Sequence, residues 1–298
     1  MSLVTLLLAF LAPLGSRSAA SPSDQAAALI VSTTGQPALA SASGADARPL
    51  HAFDWLAAGE LVVSDGESSA VIALANGRRY EIGPDTRVRV GLESLEVLKG
   101  RVREQARVAP LPRLAALSPE VRPGSRAGAL RIRGRRMRDL YPAGDATVRT
   151  DGAILSFSAL PGIARYAVEI EDEEGEIVFR AETPGAAVAV SPDVLRPGAR
   201  YRWQVKGASA QGPARGEAEF STLGEEEAAA RKGLRSSLEG ARDAASLALL
   251  AEVDRGLGLL REARETFARA LEGSPGNEAL RAAIERVDAQ LRDLQPPQ

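Results

Sequence analysis

One histidine, His51, is the only imidazole in 298 residues, and the chain has no cysteine. Disulfides, thiolate nucleophiles, thiolate metal sites and the lipidated cysteine of an anchored lipoprotein are therefore excluded. A serine triad would have only His51 as its base, and a zinc site would need carboxylates for every other ligand. No acid or serine motif surrounds His51, which reads as a solvated or packed histidine. No glycine-rich phosphate loop, nucleophile elbow or metal-ligand cluster occurs, and the many carboxylates fall in turns or on helical faces. The acidic run Glu171 to Glu176, interrupted by Gly175, lacks EF-hand spacing and reads as a solvated hairpin tip rather than a calcium loop. The expectation is a protein that is not an enzyme and takes no cofactor. A carboxylate-based glycan hydrolase is the remaining catalytic alternative.

Binding chemistry has more to work with. Lys+Arg number 37 against 39 Asp+Glu, so no global field favours nucleic acid or an anionic membrane. Only Lys99, Lys206 and Lys232 are lysines. Between Arg101 and Asp139 there are eleven arginines against Glu104, Glu120 and Asp139, densest at Arg131, Arg133, Arg135, Arg136 and Arg138. Guanidinium forks bind oxyanions, which makes this stretch a candidate patch for an anionic cell-surface polymer. The alternative is an exposed edge strand, since the arginines alternate with Leu130, Ile132 and Gly134 and such charges discourage aggregation. Aromatics that could stack on bases are missing there, which disfavours nucleic acid.

The elements around these residues predict a multidomain, mainly β chain with an α-helical end. Leu3 to Leu14 form an apolar run followed by Ser18, Ala19 and Ala20, the pattern of a signal peptide over 1–20 cleaved after Ala20. Twelve helical residues would span roughly 18 Å, short of a hydrocarbon core of about 30 Å. The chain is thus expected to be exported to the periplasm or cell surface. If the segment stays uncleaved, it would anchor the chain in the inner membrane, its only membrane contact. Residues 21–48, rich in Ala, Ser, Gly and Pro, read as a flexible lead-in.

Residues 49–118 show short alternating runs divided by turn signals. Leu61 to Val63 precede Ser64-Asp65-Gly66; Ala70, Ile72 and Leu74 share a face; Asn76-Gly77 predicts a type I′ hairpin into Tyr80 and Ile82. Ala58-Gly59-Glu60, Ser64 through Ser69, Ala70 to Leu74, Asn76-Gly77 and Glu96-Val97-Leu98-Lys99-Gly100 resemble the periplasmic FecR domain. That resemblance implies a small all-β envelope domain. Family members include sensors that relay a signal from an outer-membrane receptor to a sigma factor, and other exported proteins. Nothing that would bind a sigma factor precedes the apolar segment here, so the expectation is an envelope β-domain, with a membrane-anchored FecR-type sensor as the alternative.

An arginine-rich connector over 119–139 leads to a cleaner strand pattern over 140–223, with alternation at Leu155 and Phe157, at Tyr166, Val168 and Ile170, and at Tyr201, Trp203 and Val205. Regularly spaced short strands predict a β-sandwich. Leu195 through Val205 resembles a fibronectin type III domain, which implies that Tyr201 is its corner tyrosine, bonded back to the preceding loop. Tyr201 and Trp203 read as core residues, with a ligand platform as the alternative. From 224 to 294 the composition turns to Ala, Glu, Leu and Arg with helical periodicity, Glu225, Glu226 and Glu227 opposing the helix dipole in a first turn. Leu247, Leu250, Ala251, Gly258, Ala263, Phe267, Ala270 and Pro275 resemble one tetratricopeptide repeat, with Gly258 and Ala263 allowing two helices to approach and Pro275 ending the second. One repeat cannot bury its apolar face alone, so a helical hairpin or bundle with flanking helices as caps is expected, followed by a tail over 295–298. The function expected is protein–protein contact in the envelope. Another envelope protein is the leading partner, with homo-oligomerisation or plain packing as alternatives.

Overall fold

The computed structural model describes residues 26–40, 48–112, 135–144, 146–240 and 243–294. The apolar segment 1–20, Arg131, Arg133 and the tail 295–298 lie outside the described residues. The strands are mostly antiparallel, and four helices close the chain.

Ten strands build the first β unit: β1 (Ala26–Thr34), β2 (Ala38–Ala40), β3 (Arg48–Pro49), β4 (Trp55–Ala57), β5 (Leu61–Val63), β6 (Ser69–Leu74), β7 (Arg79–Ile82), β8 (Arg87–Val90), β9 (Leu95–Lys99) and β10 (Val102–Gln105). They form two five-stranded sheets, ordered β10-β7-β6-β1-β4 and β3-β2-β5-β8-β9. Between them lies a core of Ile30, Leu56, Val62, Ile72, Leu74, Ile82 and Val88. The expected flexible lead-in is thus corrected over 26–40. Ala27 to Val31 are buried, because β1 lies inside its sheet between β6 and β4 and is covered on both faces, and such strands read as unbroken apolar runs.

The hairpin at Asn76-Gly77 is present but its turn differs. Leu74 and Arg78 pair (Leu74 N–H to Arg78 O, 2.8 Å), leaving a three-residue loop in which Gly77 has φ +82° and Asn76 does not share the positive φ a type I′ turn needs. Asn76 is tied by its side chain instead, accepting from Arg78 N–H at 3.1 Å and donating to Glu93 O at 2.8 Å. A Cβ on Gly77 would lie 2.1 Å from the Val108 carbonyl, so glycine is required for that close approach.

The second unit contains β11 (Arg135–Arg136), β12 (Thr147–Val148), β13 (Ile154–Ser156), β14 (Tyr166–Glu171), β15 (Ile177–Thr183), β16 (Ala187–Ala189), β17 (Arg200–Ser209) and β18 (Gly212–Thr222). One sheet runs β11-β18-β17-β14-β15, with β12 also parallel to β18; β13 pairs with β16 in the other. Their separate core holds Leu155, Phe157, Tyr166, Val168, Ile170, Trp203 and Phe220. Residues 172–176 close the β14–β15 hairpin, with Gly175 at φ +82°.

The helices are α1 (Glu225–Ser237), α2 (Ala244–Gly256), α3 (Leu260–Glu272) and α4 (Glu278–Asp293). The sequence expectation is a helical hairpin or bundle capped by its own flanking helices; in the structure the helices also pack on the first β unit. Leu249, Leu250 and Val253 of α2, with Leu234 of α1 and Leu238 just after it, cover Leu29, Val31 and Ala73 on the outer face of the first sheet. The other side of α2 joins α3 and α4 around Phe267, and Phe53 of the β3–β4 loop enters that cluster, its ring 5.4 Å from Phe267 and edge-on. The physical reason is that α2 is apolar around most of its girth, so a single helical neighbour leaves half of it uncovered.

Candidate interaction groove

The helices turn one further surface inward, a groove of about 980 Å³ between α1 and α3. Its floor is apolar, formed by Leu238, Leu247 and Leu250. Along α1, residues 231, 232 and 235 bring Arg231, Lys232 and Arg235 to one wall, with Glu239 just beyond the helix, and along α3 the other wall is mixed, Glu262, Glu265 and Glu272 standing among Arg264 and Arg269. Arg149, just after β12, also lines it and is bonded to Asp151 at 2.7 Å.

Two buried carboxylates on α2 anchor this arrangement. Asp254 is fully buried and takes a two-pronged contact from Arg231, at 2.6 and 2.9 Å. Burial pushes its carboxyl above the ordinary range, while Arg231 pulls the other way. Glu252, also fully buried, accepts from Trp55 Nε1 at 3.1 Å and pairs with Arg255 at 2.5 Å, tying α2 to the first β unit. On the groove wall, burial raises the Glu262 carboxyl, and the Asp254 charge raises it further. Lys232, Arg235, Glu265 and Glu272 make no ion pair among the described residues. The groove therefore offers unpaired charge of both signs beside an apolar strip.

The junction with the sandwich lies beside it. Thr147 N–H donates to the Gly258 carbonyl at 3.1 Å, Arg261 donates to Ser156 Oγ at 2.5 Å, and the Arg261 guanidinium stacks 3.9 Å over the Tyr141 ring. Burial, helped by Glu262, pushes the Tyr141 phenol up to about 12.

Gly258 sits in the α2–α3 turn at φ +78°, and a Cβ there would meet the Thr147 hydroxyl at 2.7 Å. Its close approach is to the sandwich, not between two helices as expected, because the turn's carbonyl is the acceptor for β12. Ala263, Phe267 and Ala270 share the buried face of α3, and Pro275 stands exposed in the α3–α4 loop. Tyr201 is buried in the sandwich core and its hydroxyl accepts from Arg196 N–H at 2.8 Å; Trp203, fully buried, donates to Pro142 O at 2.8 Å. Arg135 and Arg136 form an edge strand, Arg136 lying opposite Arg215, and Arg138 follows, exposed. None of these three lines the groove. His51 is exposed, and contrary to expectation an acid does neighbour it, Asp54, whose carboxylate accepts from His51 N–H at 3.1 Å and from Arg48 at 3.0 Å. The sequence pattern singled out Leu247 and Leu250 but not Leu238, and the placing of Lys232 and Arg235 across from Glu265 and Glu272 depends on how α1 sits against α3, which no spacing within either helix encodes.

No protein-family model and no curated protein matches the chain. Among solved structures, the FN5 domain of Drosophila Lar is similar at 15% identity over 30% of this chain and 98% of that one, TM-score 0.23. The chicken CNTN1 FN1–FN3 domains are similar at 10% identity over 64% and 57%, TM-score 0.25. The fold described above rests on its own strands, registers and cores. No helix among the described residues is long and apolar enough to cross a membrane.

Proposed function

We propose that this chain is an exported, non-catalytic envelope protein that holds a segment of another envelope protein in the groove between α1 and α3. The observation that carries the reading is the strip of Leu238, Leu247 and Leu250 between a mainly basic α1 and a mixed acidic and basic α3, with Lys232, Arg235, Glu265 and Glu272 free of ion pairs among the described residues. Charged walls of this kind select and orient a partner, while an apolar floor contributes most of the affinity. In this reading the first unit is a FecR-like envelope domain, the second a fibronectin type III-like spacer that presents the helices, and α2 with α3 a tetratricopeptide-like pair. What supports it is the residue patterns described above, the signal-like N-terminus and the absence from the sequence of cysteine and of a second histidine.

A photo-crosslinking residue at Ser236 in the untagged chain, expressed in its native cell, tests the reading. The expected result is fractionation with the envelope and a crosslink to one envelope polypeptide, abolished by Leu247→Asp and by the charge reversal Arg235→Glu. Recovery chiefly from the cytosol, or crosslinks indifferent to both substitutions, would overturn it.

A further inference from the structure

Three of the large apolar side chains that remain exposed belong to one hairpin: Leu92 at 51%, Val97 at 49% and Leu98 at 43%. Val97 and Leu98 lie in β9, the outermost strand of its sheet, and no strand among the described residues pairs with its free side. Open edges are ordinarily blunted by charge or proline at their centre. Here the centre is apolar, and the charges, Glu96 and Lys99, flank it with opposite signs. We propose that β9 is a homodimerisation edge. Two copies pair antiparallel about a two-fold axis normal to the sheet, passing between Val97 and Leu98.

The register supports this particular pairing. Val88 lies opposite Val97 but Arg87 lies opposite Lys99, so Leu98 is the extra residue of a bulge. Glu96 lies opposite Arg89, and Arg87 and Arg89 share the exposed face of β8. Glu96 and Lys99 therefore share a face, which residues three apart in a regular strand do not. A two-fold axis normal to the sheet carries each face onto itself, so directly opposed residues must share a face. The bulge meets that condition. Glu96 of each copy then faces Lys99 of the other, with Val97 against Leu98 between them. Glu96 holds Arg89 through Oε2 alone, at 2.7 Å, which leaves Oε1 for the incoming lysine.

A second copy is the occupant because β9 is complementary to itself in this register, in charge as well as in apolar surface. Two five-residue strands make an interface below the roughly 1,000 Å² of stable complexes, so the dimer is weak, with a Kd on the order of tens of micromolar.

Sedimentation velocity of the full chain, from well below to well above that range, tests the proposal. Glu96→Lys gives a chain with two lysines at these positions, and Lys99→Glu one with two glutamates. Each alone sets like charges opposite each other twice and weakens dimerisation roughly tenfold or more. Mixed in equal amounts, the two variants associate again, because the lysines of one face the glutamates of the other. Loss in each variant with recovery on mixing, both keeping the far-UV circular dichroism of the unsubstituted chain, is the expected result. An unsubstituted chain that stays monomeric throughout, single variants that dimerise undiminished, or no recovery on mixing would each overturn the proposal.

Discussion

At Gly258 two constraints coincide, a φ of +78° and a Thr147 hydroxyl 2.7 Å from where a Cβ would stand. Gly258→Ala is expected to cost about 1–3 kcal/mol in chemical denaturation. Adding Thr147→Ala should recover only part of it, since that removes the steric contact and not the strain. Glu262 makes a prediction of the opposite sign. Burial raises its carboxyl above the ordinary value, so the folded state binds the proton more tightly than the unfolded chain does. Its stabilising contribution is complete below the unfolded value and is lost as pH rises through the folded one. At neutral pH the ionised carboxylate is therefore unfavourable. Glu262→Gln should raise Tm near neutral pH, and the gain should shrink as thermal denaturation is repeated toward the unfolded carboxylate value. Asp254 shares the direction of shift but has a partner. Asp254→Ala would leave Arg231 buried and uncompensated, and a loss of about 3–5 kcal/mol is expected.

The elements show where sequence patterns carry information and where they lose it. β8, with Val88 and Val90 buried and Arg87 and Arg89 exposed, is legible because one face meets water and the alternation is clean. β1 was not legible. Its Ala-Ala-Ala-Leu-Ile-Val run is buried on both faces, so the signal is a short apolar stretch, and the Ser, Gly and Pro around it read as linker. α2 is a parallel case, since its buried Glu252 and Asp254 look in sequence like a solvated face. Their burial depends on Trp55 and Arg231, which lie 197 and 23 residues away. Phe53 is likewise invisible, because an aromatic in a loop gives no period, yet it fills the space beside Phe267. Phe53→Ala should cost about 3–5 kcal/mol. Hydrogen exchange should locate the loss, with α3 and α4 amides losing protection while β14 and β17 keep theirs.

Across the whole molecule, the order of units along the chain is not the order of their cores. The helices follow the sandwich in sequence but share two buried clusters with the first β unit, whereas the sandwich closes a core from residues 137 to 220 alone. Its ties to the helices, at Thr147, Ser156 and Tyr141, are mainly polar contacts at its margin. Burial of apolar surface dominates folding energy, so cooperative units should follow shared cores rather than chain order. The two tryptophans divide along the same line: Trp55 is bonded to α2 through Glu252, and Trp203 is fully buried in the sandwich. Trp203→Phe leaves a chain whose fluorescence reports the first unit, and Trp55→Phe one that reports the sandwich. In denaturant, the Trp55 signal should change together with helical circular dichroism, at a midpoint separate from that of Trp203. Removing residues 224–294 should abolish the Trp55 transition, because Leu29, Val31 and Ala73 lose their cover, while the Trp203 midpoint moves little. Coincident midpoints for both tryptophans, or a first β unit that still unfolds cooperatively without its helices, would show that the cores do not define the folding units.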